Sequence, residues 1–184
     1  MSRDVPPGPS GMRGLKRDPA LIPLSRDHHF ALRQCLWLRR AAAGPERGHA
    51  ASVAREFLAF HRTELTAHME DEEAVLFPAV EALDPEGTAR LQREHREIHA
   101  LAARLDDTLK TGDDPRSLMR DVASLLDDHI RYEERGYFME AQARLDGPSL
   151  RRVGALLEAR RADRSPLLDQ TDHGPSGAAG PSSR

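Results

Sequence analysis

Residues 118–136 read LMRDVASLLDDHIRYEERG, and one stripe of this stretch recurs at steps of three and four residues. That spacing is typical of one face of an α-helix. The stripe begins with apolar residues but continues through His129 and Glu133, where a helical core would ordinarily carry leucine. Residues 47–77 and 86–110 repeat the same period. The sequence therefore predicts three amphipathic helices whose inner faces carry histidine and glutamate.

The amino-acid composition narrows the possible functions. The chain has 184 residues, a net charge of −3 and no basic stripe, so we expect neither a nucleic-acid nor a membrane partner. No apolar run approaches the roughly 20 residues that span a bilayer. The single cysteine, Cys35, excludes an internal disulfide framework and a multi-cysteine zinc site. The first residues, MSRDVPPGPSGMRG, contain no apolar leader stretch, so we expect a cytoplasmic location.

The prolines punctuate the middle of the chain, and the segments between them are rich in Ala, Leu, Arg and Glu. These prolines are Pro23, Pro45, Pro78, Pro85, Pro115 and Pro148. This pattern predicts an all-α fold, an up-down-up-down four-helix bundle with a short fifth C-terminal helix at about 149–162. Residues 1–18 and 165–184 are poor in apolar side chains and are expected to be disordered tails, which leaves 19–164 as the domain. Three large side chains are expected in its core: Leu36, Trp37 and Phe77.

The polar residues of the inner faces occur in pairs one helical turn apart. The pairs are His68 with Glu72, His95 with His99, and His129 with Glu133. The first predicted helix adds the neighbours His28 and His29. Counted from the connections between antiparallel helices, the positions differ in depth by roughly 2 to 6 Å, at about 1.5 Å per residue. Seven residues are therefore expected to meet in one layer: His28, His68, Glu72, His95, His99, His129 and Glu133.

Such a layer needs compensation, because burying imidazole and carboxylate groups costs several kcal/mol unless they are paired or bound to metal. Five imidazoles and two carboxylates exceed the needs of one tetrahedral zinc ion. They suit two ions of higher coordination number that share the carboxylates. Nitrogen and oxygen ligands without thiolate favour iron, manganese or zinc, and a di-iron centre is the preferred interpretation.

Four elements of the sequence resemble the hemerythrin-like (HHE cation-binding) family. They are DHH at 27–29, HMEDEEAVLFP at 68–78, EHREIH at 94–99 and HIRYEE at 129–134. The resemblance implies a non-haem di-iron site inside a four-helix bundle, with an oxo or hydroxo group between the metals. It further implies that one iron is held by His95, His99 and His129. The second iron, with an open position for O₂, peroxide or NO, would be held by His28 and His68, and both irons would be bridged by Glu72 and Glu133.

Some assignments stay open at this stage. His28 is favoured over His29 because it shares a face with more of the apolar residues of the first helix. Glu133 is favoured over Glu134 because the i+4 spacing suits a regular helix. A site without His99, with six protein ligands, would also work. His61 is expected beside the metal ligands rather than among them.

The leading functional hypothesis is a di-iron protein that binds or senses a diatomic molecule or peroxide. A di-iron enzyme with catalase-like peroxide disproportionation is the first alternative, since carriage and catalysis can use the same ligands. Iron delivery for repair of damaged metal centres, and a helical interaction module without metal, follow in that order. Protein partners are not indicated by the sequence.

Overall fold

A computed structural model describes residues 16–168, and within this range the chain is helical with no strand. A single 3₁₀ turn at Pro19–Leu21 leads into the first helix. Five helices follow: α1 (Ile22–Ala43), α2 (47–80), α3 (Pro85–Thr111), α4 (116–144) and α5 (Gly147–Leu168). None of the helices in the described range is long and apolar enough to cross a membrane. The tails predicted to be disordered fall mostly at 1–15 and 169–184, which lie outside the described residues.

The helix ends follow from local chemistry. The Asp84 side chain caps α3 by accepting a hydrogen bond from the Gly87 amide at 2.9 Å, and Pro85 occupies the first helical position, where no amide donor is needed. The same helix ends at Gly112, whose φ of 77° lies in the left-handed region that glycine adopts without strain. The chain then turns back into α4. These signals set where the bundle helices start and stop.

Two of the helices contain π-helical segments, which the regular period did not predict. In α2 they are His61–Leu65 and Glu72–Leu76, and in α4 the segment is Glu133–Tyr137. A π turn shifts the residues that follow it around the helix axis and is common at functional sites. Helix α2 continues past Pro78 to Val80, and a π segment ends at Leu76, two residues before this proline, which has no amide to donate.

The first four helices pack as neighbours around a common interior. Both α1 and α3 pack against α2 and α4, while α5 lies against the Pro19–Leu21 turn and the Glu72–Leu76 segment. This arrangement is compatible with a helical bundle, and the exact up-down-up-down order stays a prediction. The fifth helix is longer than the predicted 149–162. Residues before 19 also make contacts, since Arg17 donates to the Glu134 carbonyl oxygen at 2.9 Å.

A polar layer separates two apolar clusters in this interior. One cluster includes Leu38, Phe57, Leu105 and Val122, and the other includes Leu24, Phe77, Leu91, Phe138 and Leu157 from α5. Along each of the first four helices, the metal-ligating residue types lie between the two clusters. Packing above and below thus fixes the depth of the polar side chains.

The expected core is correct for Phe77 but wrong for the other two side chains. Leu36 is 43% exposed and Trp37 is 38% exposed, whereas Phe77 is 1% exposed. The buried face of α1 runs through Leu24, His28 and Ala31 toward Leu38, so positions 36 and 37 point away from it.

Candidate metal centre

Six of the seven sequence-predicted ligands come together between the two apolar clusters. They form two groups of four whose candidate ligand atoms all lie within 4.8 Å of one another. One group is His28, His68, Glu72 and Glu133, and the other is Glu72, His95, His129 and Glu133. None of the six is more than 4% exposed. The two glutamates belong to both groups, so the geometry suits two cations that share them.

The interatomic distances fit ligands arranged around common ions. Glu133 Oε2 lies 3.1 Å from His28 Nε2 and 3.3 Å from His129 Nε2. Glu72 Oε2 lies 3.4 Å from the Nε2 atoms of both His68 and His95. Two ligand atoms held about 2.1 Å from one ion are roughly 3.0 Å apart at a right angle and about 3.4 Å apart at a tetrahedral angle. The observed range matches that expectation.

Six polar atoms at the centre lack hydrogen-bond partners. Both carboxylate oxygens of Glu72 and of Glu133, and the Nε2 atoms of His95 and His129, are buried without one. The glutamate Oε2 atoms lie 3.3–3.4 Å from neighbouring histidine Nε2 atoms, but these contacts do not have the alignment of hydrogen bonds. Buried polar groups are nearly always satisfied, because leaving them unpaired is costly. Lone pairs that converge without bonding one another are what a shared cation would satisfy, so these residues fit a metal site.

Each imidazole is anchored on its outer side by a carboxylate. The Nδ1 of His28 contacts Glu134 at 2.7 Å, and that of His68 contacts Asp27 at 3.1 Å. A carboxylate only accepts hydrogen bonds, so each Nδ1 carries the proton and each Nε2 presents its lone pair to the centre.

The other two imidazoles have the same arrangement. His95 Nδ1 contacts Glu73 at 2.8 Å, and His129 Nδ1 contacts Glu94 at 2.9 Å. The four contacts form a closed cycle, because every helix supplies the carboxylate for the imidazole of the next one. The sequence pattern did not predict this set of outer carboxylates. The available signal was an acidic residue directly beside an inner ligand in all four helices.

The helices α2 and α4 carry the same motif at the centre. His68, Glu72, Glu73 and Phe77 have the spacing of His129, Glu133, Glu134 and Phe138. In both helices a π segment begins at the inner glutamate. The phenylalanines also have equivalent roles: Phe77 stacks on His95 and Phe138 stacks on His28, with ring centroids 5.4 and 5.5 Å apart. The inner ligands are therefore arranged with approximate two-fold symmetry, and an aromatic ring shields each side.

The pKa values of the groups at the centre also indicate that the buried carboxylates need a positive charge beside them. Burial lowers the pKa of His28, but the nearby carboxylates of Glu133 and Glu134 outweigh it and raise the pKa to about 10. Burial likewise lowers the pKa of His95, and Glu72 overrides it, raising the pKa to about 9. Burial disfavours ionised Glu133, yet the surrounding imidazoles hold its pKa at about 2. Without a metal, the buried carboxylates draw protons onto the imidazoles.

The structure does not bring His99 to the centre. It is only partly buried, and its Nδ1 lies 3.0 Å from His61 Nε2. Burial, and then the neighbouring His99, lowers the pKa of His61 to about 4, so this pair is uncharged at neutral pH. In α3, His95 therefore faces the centre, whereas His99 packs against His61 of α2. Of the two neighbouring histidines in α1, His28 is buried at the centre and His29 is exposed. Glu134 contacts the outer Nδ1 of His28 and does not belong to either ligand group.

The fifth helix reaches the outer carboxylates. Arg161 pairs with Asp27, the acceptor for His68. Asp71, fully buried beside Glu72, accepts from Arg160 at 2.8 Å and from Arg164 at 2.9 Å. The α1–α2 side of the centre is thus tied to α5 by ion pairs.

Comparison with known families agrees with this geometry. The sequence model of the hemerythrin HHE cation-binding domain matches residues 23–141, well over half of the chain. The chain belongs to this family. Searches among curated proteins and among solved structures gave no match. All four motif elements of the HHE domain fall inside the matched range, so the resemblance seen in the sequence is confirmed, whereas α5 lies outside it. Membership of this cation-binding family and the buried His/Glu groups together indicate metal binding.

Proposed function

We propose that this HHE domain holds two iron ions within an up-down-up-down four-helix bundle and binds or senses O₂, NO or peroxide there. One ion would be held by His28 and His68 and the other by His95 and His129. Glu72 and Glu133 would bridge the two ions, together with an oxo or hydroxo group. Iron in such a setting supplies redox capacity and Lewis acidity. A cytoplasmic location remains part of this proposal.

The observation that carries the proposal is the set of buried polar atoms without partners. Glu72 and Glu133 present four such oxygens between the two imidazole pairs. Hard oxygen and imidazole nitrogen ligands without thiolate favour iron over copper(I) or an iron–sulfur cluster. Four protein ligands per ion leave coordination positions for exogenous molecules on five- or six-coordinate iron.

The surrounding residues prepare the centre for this role. The outer carboxylates fix each imidazole with its Nε2 pointing inward. Phe77 and Phe138, both almost completely buried, cover His95 and His28 and exclude water from them. Burial of all six ligands argues for a retained centre rather than exchangeable iron cargo, so we expect slow loss of iron to an external chelator.

Metal analysis with optical spectra tests the proposal. Protein loaded anaerobically with ferrous iron should hold two iron ions per chain, and exposure to air should produce oxo-bridged di-iron absorption in the near ultraviolet. His28→Ala should lower the iron content and abolish this absorption. His29→Ala is the matched control, because His29 is adjacent but exposed, and it should change neither.

Three results would defeat or refine the proposal. Zinc, or no metal, in an iron-replete preparation would defeat it. Oxygen evolution from added peroxide, lost in His68→Ala, would assign the peroxide-consuming enzyme. A reversible spectral change with O₂ would instead assign carriage or sensing.

A further inference from the structure

A cavity of about 590 Å³ lies between α1, α2 and α5 and borders one half of the candidate centre. His28 and His68 line it, whereas His95 and His129 do not. A water molecule takes roughly 30 Å³ of liquid volume, so the cavity greatly exceeds the needs of a diatomic molecule or hydrogen peroxide. Its volume falls in the range of about 300–1,000 Å³ that is typical of small-molecule sites.

The walls of this cavity are mainly apolar. They include the side chains of Phe30, Ala31, Phe60, Leu65 and Ala67. Phe30 is a large aromatic residue of this lining and is 47% exposed. Walls of this kind favour a ligand that is itself largely apolar.

The charged residues of the cavity pair with one another. Arg161 pairs with Asp27, and Arg164 pairs with the buried Asp71. Glu64, exposed at the edge, adds a third carboxylate to these two pairs. The three carboxylates offset the two guanidinium groups, and His28 has its own carboxylate contacts with Glu133 and Glu134, so the lining offers no excess of positive charge to an anion.

We propose that this cavity binds an uncharged, largely apolar organic molecule that carries one polar group, beside the His28–His68 pair. The proposal rests on the proposed function, because it makes such a molecule, in the class that includes organic hydroperoxides, the ligand of the adjacent centre. The chain segment that follows α5, DQTDHGPSGAAGPSSR at 169–184, has almost no apolar side chains and does not match these walls. A small molecule matches them in volume, polarity and charge.

Two fluorescent probes that differ by one sulfonate test the proposal on the full chain. N-phenyl-1-naphthylamine is neutral, and 8-anilino-1-naphthalenesulfonate is its anionic counterpart. In metal-free protein, the neutral probe should saturate at one per chain and should bind several-fold more tightly than the anionic one. The uncharged alcohol 2-phenyl-2-propanol should displace it. Equal or tighter binding of the sulfonate, or no saturable binding, would overturn the proposal.

A matched pair of variants locates the binding. Ala67→Phe fills the cavity and should weaken binding of the neutral probe by roughly tenfold or more, since an aromatic ring loses its buried contacts. Ala59→Phe makes the same change at an exposed position of α2 outside the lining and should leave binding unchanged. Thr63→Trp, at an exposed lining position, is a second blocking variant if Ala67→Phe loses its thermal transition. Equal probe affinity in the blocking and control variants would overturn the assignment.

Iron content, measured on the same preparations, separates the two proposals. Two iron ions per chain without saturable probe binding would overturn the cavity proposal and leave the metal centre intact. Probe binding that Ala67→Phe weakens, in a chain that takes up no iron, would support the cavity as a binding site and defeat the di-iron function.

Discussion

Glu133→Gln should remove both metal ions, not one. The Glu133 carboxylate approaches His28 Nε2 at 3.1 Å and His129 Nε2 at 3.3 Å, so it belongs to both ligand groups. Glutamine preserves the size of the side chain but removes its negative charge. Its amide nitrogen is also a poor ligand for a cation. One substitution should therefore disable the shared position between the two ions.

The expected effect on thermal stability can be worked out from linkage. An ion present at a free concentration 100 times its Kd stabilises the folded chain by about 2.7 kcal/mol, and two ions by about 5.4 kcal/mol. For a domain of this size, each kcal/mol corresponds to roughly 2–4 °C in Tm. Wild-type protein should therefore gain about 11–22 °C from ferrous iron, and Glu133→Gln should retain less than about a quarter of that gain.

The assay is anaerobic thermal unfolding of each variant with and without ferrous iron, together with its iron content. Each variant is compared with its own metal-free form, so any general loss of stability from the substitution cancels. Glu140→Gln is the control, because Glu140 is an exposed glutamate of the same helix whose ion pair is with Arg144. Two iron ions per chain and a full Tm gain in Glu133→Gln would refute the inference that the unpartnered carboxylates bind the metals.

Three further outcomes are expected. His99→Ala should keep both iron ions, whereas His95→Ala should lose at least one; equal losses measured by metal analysis would contradict the separation of His99 from the centre. Metal binding at pH 8 should release about two protons, because the metal-free pKa values of His28 and His95 are about 10 and about 9 and metal binding needs the neutral imidazoles. The release should fall as the pH rises through 9–10, and calorimetry in two buffers of different ionisation enthalpy measures it. Asp71→Asn should destabilise the fold by about 3 kcal/mol, the low end for a broken buried ion pair, because the arginine partners of Asp71 can reach water. Amide exchange in α5 should become faster, and unchanged exchange there would show that Asp71 does not hold the helix.

The sequence was sufficient for the helices and for the depth of the ligands. Residues at steps of three and four define the inner faces, and helix lengths place His28, Glu72, His95 and His129 at a similar level. It was also sufficient to favour His28 over His29, because only His28 lies on the face that α1 buries. These inferences depend on period and length, which are properties of one helix at a time.

The features that the sequence did not predict involve relations between helices. His95 and His99 are four residues apart, as are His68 and Glu72. Whether His99 reaches the centre depends on the α2 side chains that face it, including His61. The π segments depart from the regular α-helical period, so a pattern based on that period does not predict them. Glu73 belongs to α2, but its partner is His95 of α3, so the pattern of α2 alone does not predict the contact. An acidic residue beside each inner ligand predicts such a cycle only when all four helices are considered together.

The approximate symmetry of the inner ligands has a consequence for function. His28 and His68 face one metal position as His95 and His129 face the other, and both pairs share the same two glutamates. The outer carboxylates and the stacked phenylalanines are equivalent as well. A functional difference between the two proposed ions must therefore originate outside these residues. The clearest asymmetry in the described structure is at α5, whose arginines and adjoining cavity meet only the His28–His68 side. Exogenous ligands are thus expected to reach the centre from that side, and changes in α5 should alter ligand binding without altering the number of ions bound.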